Sequence, residues 1–468
     1  MSPLPLYQQL YNWLREAILN GKLAAGTRLP STRSLASELA VSRNTVLIAF
    51  EQLLAEGYLE SKVGAGTYVT HLLPDEMLQV DRGEAPVRHI ARSGGVLTQS
   101  HSATSPLAFR PNLPGLDVFP IELWSKLTAR CWRQQPRELL GYGPAAGYQP
   151  LREAIAEYLQ VSRAVKCAAD QVIIVNGSQQ ALDLAARVLL SRGDEVWFED
   201  PGYLGARYAL LSNKARLVPV RPDAEGFDLQ MALAKQPLAK LVYVTPSAQY
   251  PLGMPLSLAR RLALLEWAQR NDSWIIEDDY SSEYRYTGRP LASLQGLDTA
   301  GRVIYVGTFS KVLFPALRLG YLVVPAALTS TFVQARFSLD IHSATIDQAV
   351  LTEFIQAGHF ARHIRRMRKL YAERQACLVE AAQRHLAERM EIHPTQGGMH
   401  LIGWLPRGID DRVTAQHARE HHVVALPLAD LCLEPYERGG LLLGYAGVNE
   451  REIHAGVKRL AAALDTLR

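Results

Sequence analysis

Along residues 10–18 the apolar side chains Leu10, Trp13, Leu14, Ala17 and Ile18 recur at the spacing of one helix face, and Gly21 ends the run. After a turn around Gly26 and Pro30, Ser31 is placed to cap a short helix carrying Leu35, Ala36 and Leu39. Ala40 and Val41 then connect to Ser42, which caps a third helix with Val46, Ala49, Phe50, Leu53 and Leu54 on one face. Arg43, Asn44, Leu47 and Ile48 fall on its outer side. Residues 58–69 read as two short strands around a glycine tip at 64–66, a wing. A helix, a short turn and a second helix with a small, polar and basic start has the shape that enters a DNA major groove. A helical protein-interaction module is the alternative this pattern leaves open.

Residues 71–106 show no sustained apolar period and mix Pro, Gly, Ser and charges, which predicts a connector between a head at 1–70 and a large unit at 107–468. The large unit alternates helical stretches with short apolar runs at Val172–Val175, 196–198, Leu241–Val244, 274–276 and 303–306. Runs of this length and composition suit buried strands of a mostly parallel sheet, hence an α/β fold. Polar residues follow each run: Asn176-Gly177-Ser178, Glu199-Asp200-Pro201, Thr245-Pro246-Ser247, Glu277-Asp278-Asp279-Tyr280 and Thr308-Phe309-Ser310-Lys311 after Gly307. In an open α/β sheet those strand ends share one edge, where ligands bind.

The chemistry of that edge follows from its residue types. Gly177, Ser178 and Gln179 begin a strong helix, so their backbone N–H groups can hold a phosphate. Asp278 ends a buried run, where a carboxylate needs a positive partner such as a protonated ring nitrogen. Lys311, if its pKa is lowered, can form a Schiff base with an aldehyde, and Arg318 can clamp the phosphate. Taken singly, Lys311 reads as a surface lysine and Asp278 as a turn residue. Together they are the parts that hold pyridoxal 5′-phosphate.

Composition adds exclusions more than identity. The 468 residues are 48% hydrophobic and 21% charged with a formal net charge of +4, which argues against disordered, collagen-like and coiled-coil chains. The longest uncharged stretch, 241–259, contains three prolines and several polar residues and is not a membrane span. The N-terminus lacks a signal-peptide pattern, so a cytoplasmic protein is expected. Cys131, Cys167, Cys377 and Cys432 are too dispersed for a zinc motif or a redox pair, so no metal is expected. Charge becomes informative only locally: Lys22, Arg28, Arg33 and Arg43 face Glu38 alone over 22–45, whereas 46–61 carry Glu51, Glu56 and Glu60 without a basic residue. Phosphate contact is therefore expected from the first stretch.

These residues also resemble a known family. The run from Pro5 to Val69, with LPSTRSLA and VSRNTV, resembles the GntR-type winged helix-turn-helix. The resemblance implies double-stranded operator DNA as partner, contacted by Ser31, Arg33, Ser42, Arg43, Asn44 and Thr45, with Gly66 at the wing tip. TFSKVLFPALRLGY (308–321), IIEDDYSSEYRY (275–286), NGSQQALDL and EDPGY resemble fold-type I aminotransferases in the version found in MocR/GabR regulators. That likeness implies a pyridoxal-phosphate-dependent transferase fold with a smaller α+β subdomain. It makes Lys311 the internal aldimine lysine, Asp278 the partner of the pyridine nitrogen and Tyr280 the donor to the phenolic oxygen. Ser178, Gln179, Thr308 and Arg318 would hold the phosphate, and Tyr203 would stack on the ring. Tyr142 would reach the neighbouring subunit's phosphate in a homodimer with swapped heads. The function implied is a transcription regulator that senses the vitamer or an amine; the alternative is a working aminotransferase carrying a DNA-binding head.

Two departures limit the transfer. Tyr250 stands before Pro251 where many aminotransferases place an asparagine, and it is expected to cover the ring or shape the effector pocket. Leu442 stands where an arginine usually binds the amino-acid carboxylate, which weighs against efficient transamination, with Arg110 or Arg207 as substitutes. His400 and Met367 read as packed residues, and the basic run 362–371 as a helix with a solvated face.

Overall fold

The computed structural model describes residues 4–62, 65–71, 108–134, 136–288 and 291–466. The chain divides into two compact units, residues 1–101 and 102–468. Apart from His71, the predicted connector lies outside the described residues, as does Gly64 of the wing.

In the first unit α1 (Leu6–Leu19), α2 (Thr32–Glu38) and α3 (Arg43–Ala55) precede an antiparallel pair, β1 (Leu59–Lys62) and β2 (Gly66–Val69). Ser31 accepts a hydrogen bond from the Ser34 N–H and Ser42 from the Thr45 N–H, so both helix starts are capped as their sequence suggests. Leu10, Leu14 and Ile18 of α1 bury against Val46, Ala49, Phe50 and Leu53 of α3. Trp13 corrects the sequence reading: its side chain is 57% exposed. It lies at the margin of the apolar stripe, about 60° around the helix from Leu10, and the four residues Leu10, Leu14, Ala17 and Ile18 already fill the buried face.

The second unit is built on a seven-stranded sheet of β3 (Val172–Val175), β4 (Glu195–Glu199), β5 (Arg216–Val220), β8 (Leu241–Val244), β9 (Trp274–Asp279), β10 (Val303–Thr308) and β11 (Gly320–Val323). A two-residue hairpin, β6 (Pro222–Asp223) and β7 (Gly226–Phe227), lies outside it. The order is β3-β11-β10-β9-β8-β4-β5, with β11 antiparallel to both neighbours and the rest parallel. Helices cover both faces, as a sheet buried on both sides requires. A second, four-stranded antiparallel sheet, β12 (Glu391–Ile392), β13 (His400–Trp404), β15 (Gly440–Gly444) and β14 (Leu426–Pro427), packs with the helices His359–His385 and Glu450–Asp465. Met367 is core there, and the basic 362–371 segment is one stretch of the long helix, with Ile364, Met367 and Tyr371 inward.

The strands run further than their apolar patterns. β9 includes Glu277, Asp278 and Asp279, and β10 includes Gly307 and Thr308, all buried. The carboxylates stay in the ladder because each is given donors. Glu277 accepts from the Leu294 and Gln295 N–H groups, Asp278 from Tyr243, and Asp279 from Arg163, Ser282 and Tyr305. β5 and β11 have no counterpart among the expected strands; β5 is an edge strand interrupted by Pro219.

Leu53, fully buried in α3, tests the packing of the small unit. Leu53→Ala is expected to lower its stability by about 2–5 kcal/mol, read as faster amide hydrogen exchange over residues 6–69 of the full chain.

Candidate functional site

The parallel register brings the C-terminal ends of β3, β4, β8, β9 and β10 to one edge of the sheet. Lys311 follows β10, and its Nζ donates to the Asn112 carbonyl at 3.0 Å. Burial lowers its pKa to about 8, with the Arg318 charge adding to this and Asp278 opposing it. Asp278 accepts from the Tyr243 hydroxyl through Oδ2 at 2.8 Å, while its Oδ1 is buried without a partner. Burial raises this carboxyl to about 6 against the lowering influence of Tyr243.

Next to Lys311, the Ser310 hydroxyl is also buried and unpartnered, and the Ser310 N–H donates to Thr308 Oγ1 at 3.2 Å. Gly177 precedes the helix Ser178–Leu189 with φ +97, and a Cβ there would meet the Arg318 guanidinium at 3.2–3.4 Å. Arg318 itself takes a left-handed φ of +52 and donates to the Asn176 carbonyl at 2.7 Å, which fixes it over that helix start. Gln179 donates one side-chain amide hydrogen to the Gly205 carbonyl at 2.9 Å, which fixes that side chain beside the helix start.

Aromatic rings line the space in front. Tyr250 is buried and meets Tyr203, Tyr280 and His400 edge-on at centroid distances of 5.8, 5.7 and 5.4 Å. Its hydroxyl accepts from Asn112 Nδ2 at 3.0 Å, so Asn112 links it to Lys311. Burial holds the Tyr280 hydroxyl well above its ordinary pKa, which keeps it a donor. Leu442 lies in an apolar cluster with Tyr250, Ile402, Leu428 and Leu431. Asp200, beyond β4, accepts from the N–H groups of Leu433 and Glu434 at 2.6 and 2.9 Å, and the Gly202 N–H donates to Leu431.

Lys311, Asp278, Thr308, Arg318, Ser178, Tyr203 and Tyr280 are thus gathered at one edge. Tyr142 is not: it is 90% exposed and its ring lies against His342. Sequence reasoning missed Ser310, Tyr243 and Asn112. Ser310 stands in the quoted Thr308–Lys311 run and could have been found there; Tyr243 and Asn112 come from a strand interior and a loop with no pattern of their own.

A resident group at this edge has to supply three things: a positive or donor atom to Asp278 Oδ1, acceptor oxygens to the helix start, Ser310 and Arg318, and a carbonyl to the Lys311 amine. Pyridoxal 5′-phosphate fits all three, through its ring nitrogen, phosphate and aldehyde.

In the small unit Arg33 is exposed on α2 and Ser42, Arg43 and Asn44 are exposed at the start of α3, where the Ser42 and Thr45 hydroxyls are hydrogen-bonded to each other at 2.8 Å. Gly66 has φ +112, and a Cβ there would crowd Arg28 Nε at 3.0 Å. Arg28 is exposed and bridges to Tyr68 of β2, which adds it to the basic residues beside the wing. Its spacing from α2 and α3 hid that placement in the sequence.

One chain therefore joins a winged helix-turn-helix module to a domain built as a pyridoxal-phosphate-dependent transferase. Residues 6–69 match the gntR family of bacterial regulatory proteins and residues 113–460 match the aminotransferase class I and II family. The chain is 44% identical to the probable rhizopine catabolism regulatory protein MocR of Rhizobium meliloti, over 99% of this chain and 94% of the relative. It is 31% identical to the pyridoxine biosynthesis regulator PdxR of Corynebacterium glutamicum, over 91% and 89%. Among solved structures, the kynurenine aminotransferase of Pyrococcus horikoshii, crystallised with PMP, superposes with a TM-score of 0.72 and 31% identity over 78% of this chain and 92% of that one. The chain belongs to the MocR-type gntR family of transcription regulators, in which an aminotransferase-like, pyridoxal-phosphate-binding domain accompanies a DNA-binding head.

Two outcomes follow from the electrostatics. Because the Lys311 amine is mostly protonated below a pKa of about 8, reductive trapping of pyridoxal phosphate on it is expected to rise with pH through that value, as peptide mapping would show. Burial opposes ionisation of Asp279, but the Arg163 guanidinium at 2.7 Å and the Tyr305 and Ser282 hydroxyls outweigh it and hold the carboxyl below its ordinary pKa. A depressed carboxyl stabilises the fold at neutral pH and loses that contribution as pH falls through its folded pKa. Arg163→Leu is expected to cost about 3–5 kcal/mol in denaturant unfolding at neutral pH, with a smaller penalty in acid.

Proposed function

We propose that this regulator holds pyridoxal phosphate at Lys311 and changes its operator binding when a small primary amine exchanges onto the cofactor. The observation that carries the reading is the buried, unpartnered Asp278 Oδ1 beside a lysine of lowered pKa. Bound pyridoxal phosphate supplies an aldehyde that condenses reversibly with amines and a ring whose colour reports the exchange. The chain's own residues do the rest. Asp278 fixes the ring nitrogen, Tyr280 donates to the phenolic oxygen, and Tyr203 covers the ring. The helix start at Ser178 and Gln179, with Thr308, Ser310 and Arg318, binds the phosphate. Burial keeps water from competing for these contacts.

Ser31, Arg33, Ser42, Arg43, Asn44 and Thr45 contact operator DNA in this reading, with Gly66 and Arg28 at the wing. Two heads meet two half-sites through a homodimer in which each head packs on the partner's large domain. Exposed Tyr142, in a groove with Trp132, Leu140 and Ile346, supports a role across the dimer rather than within one chain. The head acts at one end, residues 1–70, and the sensor at 107–468, in the cytoplasm where the DNA is; among the described residues no helix is long and apolar enough to cross a membrane. Steady turnover as an aminotransferase is the second reading, and Leu442 in its apolar cluster counts against it.

Lys311→Ala is expected to remain folded and colourless with pyridoxal phosphate; a visible imine band in that variant overturns the cofactor reading. Arg43→Ala is expected to weaken operator binding and to reduce the slope of log affinity against log salt by about 1 if it meets a phosphate, measured by footprinting across salt concentrations.

A further inference from the structure

His400 is 5% exposed, and its Nε2 lies 3.1 Å from the Pro251 carbonyl. A carbonyl oxygen only accepts, so Nε2 carries the hydrogen and Nδ1 presents a lone pair. That Nδ1 is buried with no partner. Burial, and then the nearby Lys311 charge, lower the ring's pKa to about 4, so the imidazole stays neutral and Nδ1 stays an acceptor. His400 reaches the Lys311 site through a short chain of contacts: its ring meets Tyr250 at 5.4 Å, Tyr250 accepts from Asn112, and Asn112 accepts from Lys311.

Neither β13 nor β15 carries a lysine or an arginine to offer a carboxylate. β13 and β15 pair Ile402 with Leu442, and both pack against Tyr250 with Leu428 and Leu431. Arg207 directs its guanidinium to the Cys432 carbonyl, and Arg318 lies at the phosphate end. An effector carboxylate set against the Ile402–Leu442 pair loses water to apolar side chains, whereas a hydroxyl can donate to His400 Nδ1.

We propose that the effector of this chain is a primary amine bearing a hydroxyl group and no carboxylate, with His400 accepting from the hydroxyl and Leu442 excluding the acid. The proposal rests on the reading of Lys311 as the cofactor lysine and names the class of amine that site takes.

The test uses the full chain loaded with pyridoxal phosphate and titrated with three matched amines: serinol, serine and isopropylamine. The change in visible absorption and the shift in thermal melting are followed together. Serinol is expected to act at a concentration at least about tenfold lower than either comparator. In His400→Phe the advantage of serinol over isopropylamine should vanish, and His400→Gln, which restores an acceptor, should recover part of it. Leu442→Arg should move serine ahead of serinol. Equal or better response to serine in the unaltered protein, with loss of that response in Arg110→Ala, places a carboxylate on Arg110 and overturns the proposal. So does a hydroxyl preference that persists in His400→Phe. If the protein acquires no visible band with pyridoxal phosphate at all, the cofactor reading itself fails; a band with a different order of amines defeats only the present proposal.

Discussion

Three consecutive carboxylates end the central strand β9, and the arrangement of the large domain depends on how each is compensated. Glu277 is held by two backbone N–H groups, and Asp279 by a guanidinium and two hydroxyls. Asp278 between them receives one tyrosine hydroxyl and keeps one oxygen bare. In a strand, alternate residues point to opposite faces, so the outer two carboxylates share one face and are spent on structure while the middle one faces the other way. The anchoring of its neighbours allows a buried acid to be left incomplete without loosening the strand that carries it.

That division extends across the unit. Arg163 at the end of one helix, Tyr305 in the next strand and the start of the short helix Leu294–Leu297 all converge on β9, so helices and strands distant in sequence are fastened by polar contacts beneath the ligand edge. The apolar clusters on both faces of the sheet supply cohesion, and the polar fastening sets register. Lys311 and Arg318 follow from β10 and β11, whose pairing with each other and with β3 brings Gly177 under the arginine.

Much of this was legible in the chain, for reasons that differ by region. The head reads well because its helices are local: capping serines, a helical period and a tight turn lie within a few residues of one another. Trp13 misled because a stripe of spacing i, i+3 and i+4 has margins, and only packing decides which marginal residue turns inward. In the large unit the five apolar runs mark real strands, but their ends were hidden, since a carboxylate inside a strand looks like a turn until its partners are known. Asp278, Lys311 and Arg318 could be read as a set because motif and chemistry coincide there. Asn112 and Tyr243 take their meaning from neighbours far away in sequence, as does His400, whose free nitrogen is visible only once Pro251 is seen opposite the other one.

The bonds from Asp200 to the N–H groups of Leu433 and Glu434, with Gly202 bound to Leu431, tie the segment after β14 to the end of β4. The wall that carries Leu428, Leu431 and Leu442 is therefore tethered to the ligand edge by backbone as well as by side-chain packing. A displacement of that wall has to either break three hydrogen bonds together or drag the β4 end with it. The segment is braced like a strut, its backbone held to the β4 end at three points, so the wall's position is set by the sheet rather than by the rotamer of any single side chain.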